Sequence, residues 1–368
     1  MALSGTNGSQ VWVYRGAGKG YAASPAIDGG RVYIGSKDGR FHSVDAANGQ
    51  AVWTFQVGSA SDAGAVAAPI LASAAVRAGR VYFGAENMNA YALDAATGAR
   101  LWRRAVRGQS FGHTWPVASG QAGGLVLFRT TPIYAFHDLL NSDEAHLQAA
   151  AGTSGGTLGD KAAWIVEQRA VSQRLRDNPH RRSLWELNAA TGADRYALPL
   201  PVVYTSGVGD APAPPVVDDS TNRAWIMTRS VYARFDGMGV RNYGEFAKLN
   251  LAFDPAIYSD ATLPEDRLGI RFFGCRGSSN CKIAWEDFHK IADEGEVLTA
   301  ASNAVFSSNW VSAGGIDLGT EATFNVRFYS SDDTGGAGLY GSQTGAVVAN
   351  GRIVLRDSQG IKSYTIPR

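Results

Sequence analysis

Little in this chain announces a chemistry, and each absence narrows the reading. Charge of one sign is lacking: 34 Lys and Arg face 33 Asp and Glu, for a net charge of +1. With no basic stripe, nothing points to nucleic acid or to an acidic lipid surface. No apolar run reaches the length of a membrane span. The first residues, MALSGTNGSQ, lack the charged and apolar regions of a secretory signal. Either the protein is cytoplasmic, or a leader or anchor was removed ahead of Met1. Cysteine is scarce, with only Cys275 and Cys281 in GCRGSSNCK. Small and polar residues separate the two, which makes a local disulfide easy, and the alternative is two unrelated thiols. A bonded pair implies an oxidising compartment. There is no phosphate loop and no His-Glu-x-x-His metal spacing.

What is present is a repeated phrase. Residues 24–57 read SPAIDGGRVYIGSKDGRFHSVDAANGQAVWTFQV, and residues 68–106 read APILASAAVRAGRVYFGAENMNAYALDAATGARLWRRAV. Both contain GRVY, then an alternating strand ending in Asp45 or Asp94. A small-residue turn follows, Ala46–Gly49 or Ala95–Gly98, and then Trp53 or Trp102. A period of tens of residues with short alternating strands marks a propeller or similar array. The 44 glycines suit the turns of such an all-β array.

Each copy supplies four strands, A to D from the centre outward. Worn copies begin at Pro116–Thr130, continued by Ser183–Leu200, then at Pro214–Ser230, continued within Glu245–Asp254, then at Glu296–Phe328. Gly345–Ile366 supplies A, B and C but no D, whereas Val11–Arg15 is a D-like strand with no blade before it. Pairing these two closes the ring and removes both sheet edges. The expected fold is all-β: one domain over residues 1–368, a closed β-propeller of four-stranded antiparallel blades. Six blades are counted, or seven if 255–295 hides another. Residues 131–182 form a helical insert in blade three, with the helix over Asp160–Asn178, where Trp164, Gln168, Val171 and Leu175 share one face. Residues 253–295 form a loop insert with the cysteine pair.

The phrase strand–Asp-Ala-Ala-Thr-Gly–x-x-x-Trp resembles the tryptophan-docking repeat of the quinoprotein alcohol dehydrogenase-like, or PQQ-like, superfamily. The resemblance implies that Trp53 and Trp102, with Tyr196 and Phe324 as stand-ins, brace adjacent blades. The superfamily includes dehydrogenases that use pyrroloquinoline quinone with calcium or a lanthanide, and propellers that assemble other proteins and bind no quinone. Here the cysteines are not adjacent and no Cys-x-x-Cys-His haem site exists. The resemblance therefore leans towards the non-enzymatic scaffolds, with no cofactor and no metal expected.

In a four-stranded blade the C–D turns lie at one end, and the B–C and D–A connections at the other. The long segments 131–182, 231–244 and 253–295 all read as B–C or D–A connections. Function concentrates on elaborated loops, so the insert-bearing face is the expected binding surface. Lys37, Asp38, Glu86 and Asn87 stand at that end of the first two blades. The candidate ligand contacts are His113, Trp115, Arg129, Arg229, Trp310 and Arg356, the arginines suiting an anionic group. Ordinary turn residues and inter-blade ion pairs are the plainer alternative. The expected protein is a monomeric, periplasmic, extracellular or cell-surface scaffold that binds a protein or polymer. The alternative is a dehydrogenase using pyrroloquinoline quinone and calcium to oxidise an alcohol or sugar.

Overall fold

The computed structural model describes residues 1–106, 109–112, 116–119, 124–132, 169, 172–200, 202, 214–230, 243–252, 270–273, 299–301, 303–308, 312–317, 319–320, 323–327, 347–349, 352–357 and 360–365. Contacts divide the chain into two units. The first is Met1–Tyr134 with Asn178–Pro199, and the second is Ala135–Asp177 with Leu200–Arg368.

In the first unit, β1 (Ala2–Leu3) pairs with β2 (Gln10–Trp12). Blade one is β3 (Ala26–Asp28), β4 (Arg31–Gly35), β5 (Arg40–Asp45) and β6 (Ala51–Gln56). Blade two is β7 (Ala75–Arg77), β8 (Arg80–Ala85), β9 (Asn89–Asp94) and β10 (Arg100–Ala105). Both are antiparallel meanders in sequence order. A short ribbon joins β11 (Gln109–Ser110) to β14 (Thr131–Pro132). Blade three has β12 (Val117–Ser119), β13 (Leu125–Arg129) and β15 (Leu184–Asn188). The inner strands follow one another in space, β3 beside β7 and β7 beside β12.

The two best-patterned blades have aromatic interiors. Phe41, Phe83 and Tyr91 stack in series, with ring centroids 4.4 and 5.0 Å apart. Tyr82, Trp102, Phe111, Phe128 and Trp185 form a second buried cluster between blades two and three. The alternating apolar faces of these strands thus meet in the seams between sheets, where aromatic rings bury the most area per residue.

The second unit holds three more sheets among the described residues. They are β16 (Val216–Asp218), β17 (Arg223–Ser230), β18 (Tyr243–Asn250) and β19 (Ile270–Phe273); then β20 (Thr299–Ala301), β21 (Ala304–Ser308), β22 (Ser312–Asp317) and β23 (Thr323–Arg327); then β24 (Val347–Ala349), β25 (Arg352–Asp357) and β26 (Gly360–Thr365).

Three readings of the sequence change. The fourth repeat's outer strand is β19, which lies inside 253–295, the stretch expected to be a loop. With no Asp-Ala-Ala-Thr-Gly phrase between β18 and β19, the sequence carried no marker for that strand. Residues 251–269 therefore join strand C to strand D, and so leave the sheet from the docking-turn end. The long connections do not all share one end. In blade three the expected fourth strand is reduced to a bridge between Leu187 and Asp194, with the Arg195 amide donating to the Glu186 carbonyl. In the expected helix, residues 169 and 172–177 are helical, Leu175 is buried and Asn178 is no longer helical; residues 160–168 and 170–171 fall outside the described residues. So do Cys275 and Cys281. The recorded partner of Gln10–Trp12 is β1.

Candidate functional site

The seams between blades are built by one device used three times. Trp12, Trp53 and Trp102 each donate an indole N–H to a carbonyl in the next blade's C–D turn: Ala46 at 2.9 Å, Ala95 at 3.0 Å and Ala189 at 2.9 Å. Each ring lies flat on that turn's glycine. A Cβ on Gly49, Gly98 or Gly192 would stand 2.7 Å from the indole, and all three glycines have φ between 71 and 76°. Only glycine permits both the ring and the backbone.

The turn is shaped by the acidic or amide residue that ends strand C. The Asp45 carboxylate accepts the amides of Ala47 and Asn48, the Asp94 carboxylate those of Ala96 and Thr97, and the Asn188 side chain those of Ala190 and Thr191. These Asx turns hold the Asp94 carboxyl below its usual range, chiefly through the Thr97 hydroxyl and amide.

A β-bulge aims each tryptophan. In β6, Trp53 pairs with Ser43 and Ala51 with Val44, leaving Val52 as the extra residue. Leu101 in β10 and Val11 in β2 are extra in the same way. A bulge rotates the strand and redirects the next side chain. It also explains why Val11, Val52 and Leu101 are 57, 43 and 45% exposed. The repeated Arg and Tyr of GRVY serve the same seams. Arg31 donates to the carbonyls of Ala95 and Ala96, while Tyr33 and Tyr82 donate to those of Ala95 and Ala189. The sequence showed this motif without showing its purpose.

At the opposite ends of blades one and two, the candidate polar residues are tied into the fold. Asp38 accepts the Gly18 amide at 2.7 Å and the Ser36 hydroxyl. Burial raises its pKa, but these bonds and the Arg40 amide outweigh that and hold it below the ordinary value. Glu86 accepts the Ser110 hydroxyl at 2.6 Å and the Gly112 amide at 3.0 Å. Asn87 donates to the Val66 carbonyl and the Tyr91 hydroxyl.

Sequence reasoning missed Asp62. This residue is fully buried in the link from β6 to β7, where its carboxylate meets Arg100, Arg103 at 3.0 Å and the Tyr91 hydroxyl at 3.0 Å. Burial first, then the charge of Asp62, drives Tyr91 far above the ordinary phenol range. An isolated Asp in GSASDAG carries no sequence signal for such a role.

Arg129 is the one anion-binding candidate whose side chain is described. It is fully buried at the end of β13. In the repeat, Arg129 occupies the place of Gly35 and Gly84. Those glycines let Ile70 and Phe111 in, since a Cβ on either would lie 2.1–2.2 Å from the incoming side chain. Just ahead of β15, buried Arg182 pairs with buried Glu186 at 2.8 Å, with Asp194 at 2.8 Å, and covers the Trp185 ring at 4.3 Å. Arg229 and Arg356 lie near the ends of β17 and β25, paired with Gly244 and Ile361. His113, Trp115 and Trp310 lie outside the described residues. Tyr196 is buried, and burial raises its hydroxyl. Phe324 pairs with Gly315 in β23. Among the described residues no cluster of His, Cys, Asp and Glu could hold a metal ion.

Residues 1–198, the part of the chain that carries all three docked tryptophans, match the family described as outer membrane protein assembly factor BamB. The chain belongs to that family, within the PQQ-like β-propeller superfamily. No curated protein matches it. Among solved structures, BamB from Moraxella catarrhalis is similar at 16% identity and a TM-score of 0.49, over 94% of this chain and 73% of that one. The quinohemoprotein alcohol dehydrogenase from Comamonas testosteroni is similar at 13% identity and a TM-score of 0.46, over 88% of this chain. Its counterpart ADHIIG from Pseudomonas putida HK5 is similar at 14% and 0.46, over 86%. This BamB-family chain spans only 45 and 43% of the two dehydrogenases' lengths. No helix among its described residues is long and apolar enough to cross a membrane.

Proposed function

We propose that this chain is a non-enzymatic scaffold that works outside the cytoplasm and holds a protein partner on the ends of its blades opposite the docking turns. Membership of the outer membrane protein assembly factor family is the observation that carries this reading. The geometry supports the choice of end. The docking turns are committed to tryptophans and to the Arg31, Tyr33 and Tyr82 contacts, whereas the longest segments of the first unit leave from the other end. Under this reading the cysteine pair is bonded and ring closure joins Val11–Arg15 to the blade at 345–366.

The rival is a quinone- and calcium-dependent dehydrogenase. Titration with pyrroloquinoline quinone and Ca²⁺ separates the two. A scaffold shows neither a bound-quinone absorbance nor a rise in Tm, because only a ligand that binds the native state raises apparent stability. A saturable spectrum together with a Tm rise would replace the scaffold with the enzyme.

A further inference from the structure

The link from β6 to β7 closes on itself over residues 57–70. The Val57 amide donates to the Gly39 carbonyl and the Ile70 amide to the Ser36 carbonyl, both at 3.0 Å, so both ends hang from one turn of blade one. Between them Gly58 lies against Ala67, where a Cβ would stand 2.3 Å from the Ala67 nitrogen. This is an Ω-loop. Buried Asp62 holds it from inside. Its carboxylate accepts the Gly58 amide at 3.0 Å and meets Arg100, Arg103 and Tyr91. Blade two grips the far side: the Glu86 amide donates to the Pro69 carbonyl and the Asn87 side chain to the Val66 carbonyl, each at 3.0 Å.

So fixed, the loop turns small and apolar side chains outward. Val66 is 76% exposed, and Ala60, Ala63, Ala67 and Pro69 are exposed with it. Next to Asn87 stands Met88, 38% exposed and at φ 60°. Of the non-glycine residues with positive φ among the described residues, Ala78, Met88 and Asn222, it alone has a long apolar side chain. Blade one puts Gly39 at the same place in the repeat, at φ 80°. A glycine takes this backbone without strain, whereas the methionine strains the turn and keeps its side chain at the surface.

The charges around the loop are one-sided. Asp38, Asp62 and Glu86 all have their carboxylates engaged in internal bonds. Lys37 and Arg40 are exposed on the turn from which the loop hangs, and Arg100 and Arg103 share the single carboxylate of Asp62. An apolar centre with methionine, and a margin with arginine, is the composition of a protein interface.

We propose that the loop at 57–70 and Met88 are the docking point for the scaffold's partner, an inference that rests on the scaffold reading above. The occupant is a protein segment that sets an aliphatic or aromatic side chain against Val66 and Met88 and carries Asp or Glu beside it to meet Lys37, Arg40 and Arg103. The buried ties of Asp62 and Asn87 order the loop before binding, so docking does not have to pay for that order.

Short random peptides displayed on phage and selected on the intact, immobilised protein test this, the winners then being measured as synthetic fluorescent peptides. They should combine an apolar residue with neighbouring Asp or Glu, and added salt should weaken them. Val66→Ser and Met88→Gly should each weaken binding about tenfold or more. Met88→Gly should melt no lower than the wild type, so its loss of binding is not a loss of folding. Winners without acidic residues, or winners that bind both variants as well as the wild type, would overturn the docking point and leave the scaffold reading standing. A lowered Tm in Met88→Gly would assign the methionine to packing and overturn it too. Failure to select any peptide on the wild type would count against both.

Discussion

Each docking tryptophan in this chain depends on one glycine of the next blade. Trp102 is the most enclosed of the three, only 7% exposed. Trp102→Ala should cost about 3–5 kcal/mol in denaturant titration, and Trp53→Ala less, because its ring is only partly buried. Gly98→Ala tests the other half of the contact. It should destabilise although it adds only a methyl group, since the methyl meets the Trp53 ring and the backbone sits at φ 75°. An unchanged midpoint in Gly98→Ala would mean that the ring does not need the glycine. Asp62 gives an independent residue-scale test. Asp62→Ala leaves Arg100 and Arg103 without their shared carboxylate and should cost about 3 kcal/mol or more by the same titration.

At the scale of the element, the sequence was most legible where local chemistry repeats. The GRVY strands, the Asp-Ala-Ala-Thr-Gly turns and the following tryptophans mark blades one and two, because turn geometry and ring size leave few residue choices. The roles of Val52 and Leu101 were not legible, because a bulge is a matter of pairing between strands, and alternation along one strand does not record it. The buried Asp62 was hidden for a similar reason, since its partners lie far along the chain in β9 and β10. Strand β19 was missed because its approach lacks the turn phrase. The burial of Arg129 at the end of β13 was not legible, because nothing in LVLFRT tells a buried strand-end arginine from an exposed one.

The N-terminal segment is the element most open to test. Trp12 fills the seam at Gly49 as Trp53 and Trp102 fill theirs. Deleting residues 1–15 should strip the blade-one turn of its ring, giving a lower Tm. Unchanged melting would show that this strand braces nothing.

At the largest scale, we propose a division of labour between the two ends of the first unit's blades. The docking-turn end holds blades together, and the other carries that unit's longer connections, at 13–25 and 57–74, to meet a partner. Replacing 139–178 by a short Gly-Ser linker should preserve folding with a modest loss of stability, because loop closure depends only weakly on length. It should also weaken partner binding. Photo-crosslinking in living cells tests the division most directly, with the reactive residue placed at exposed Lys37 or Met88 on the connection-bearing end, or at exposed Asn48 or Thr97 on the docking-turn end. The account predicts one discrete protein adduct from Lys37 and Met88 and none from Asn48 and Thr97. Adducts from Asn48 and Thr97 alone would contradict it.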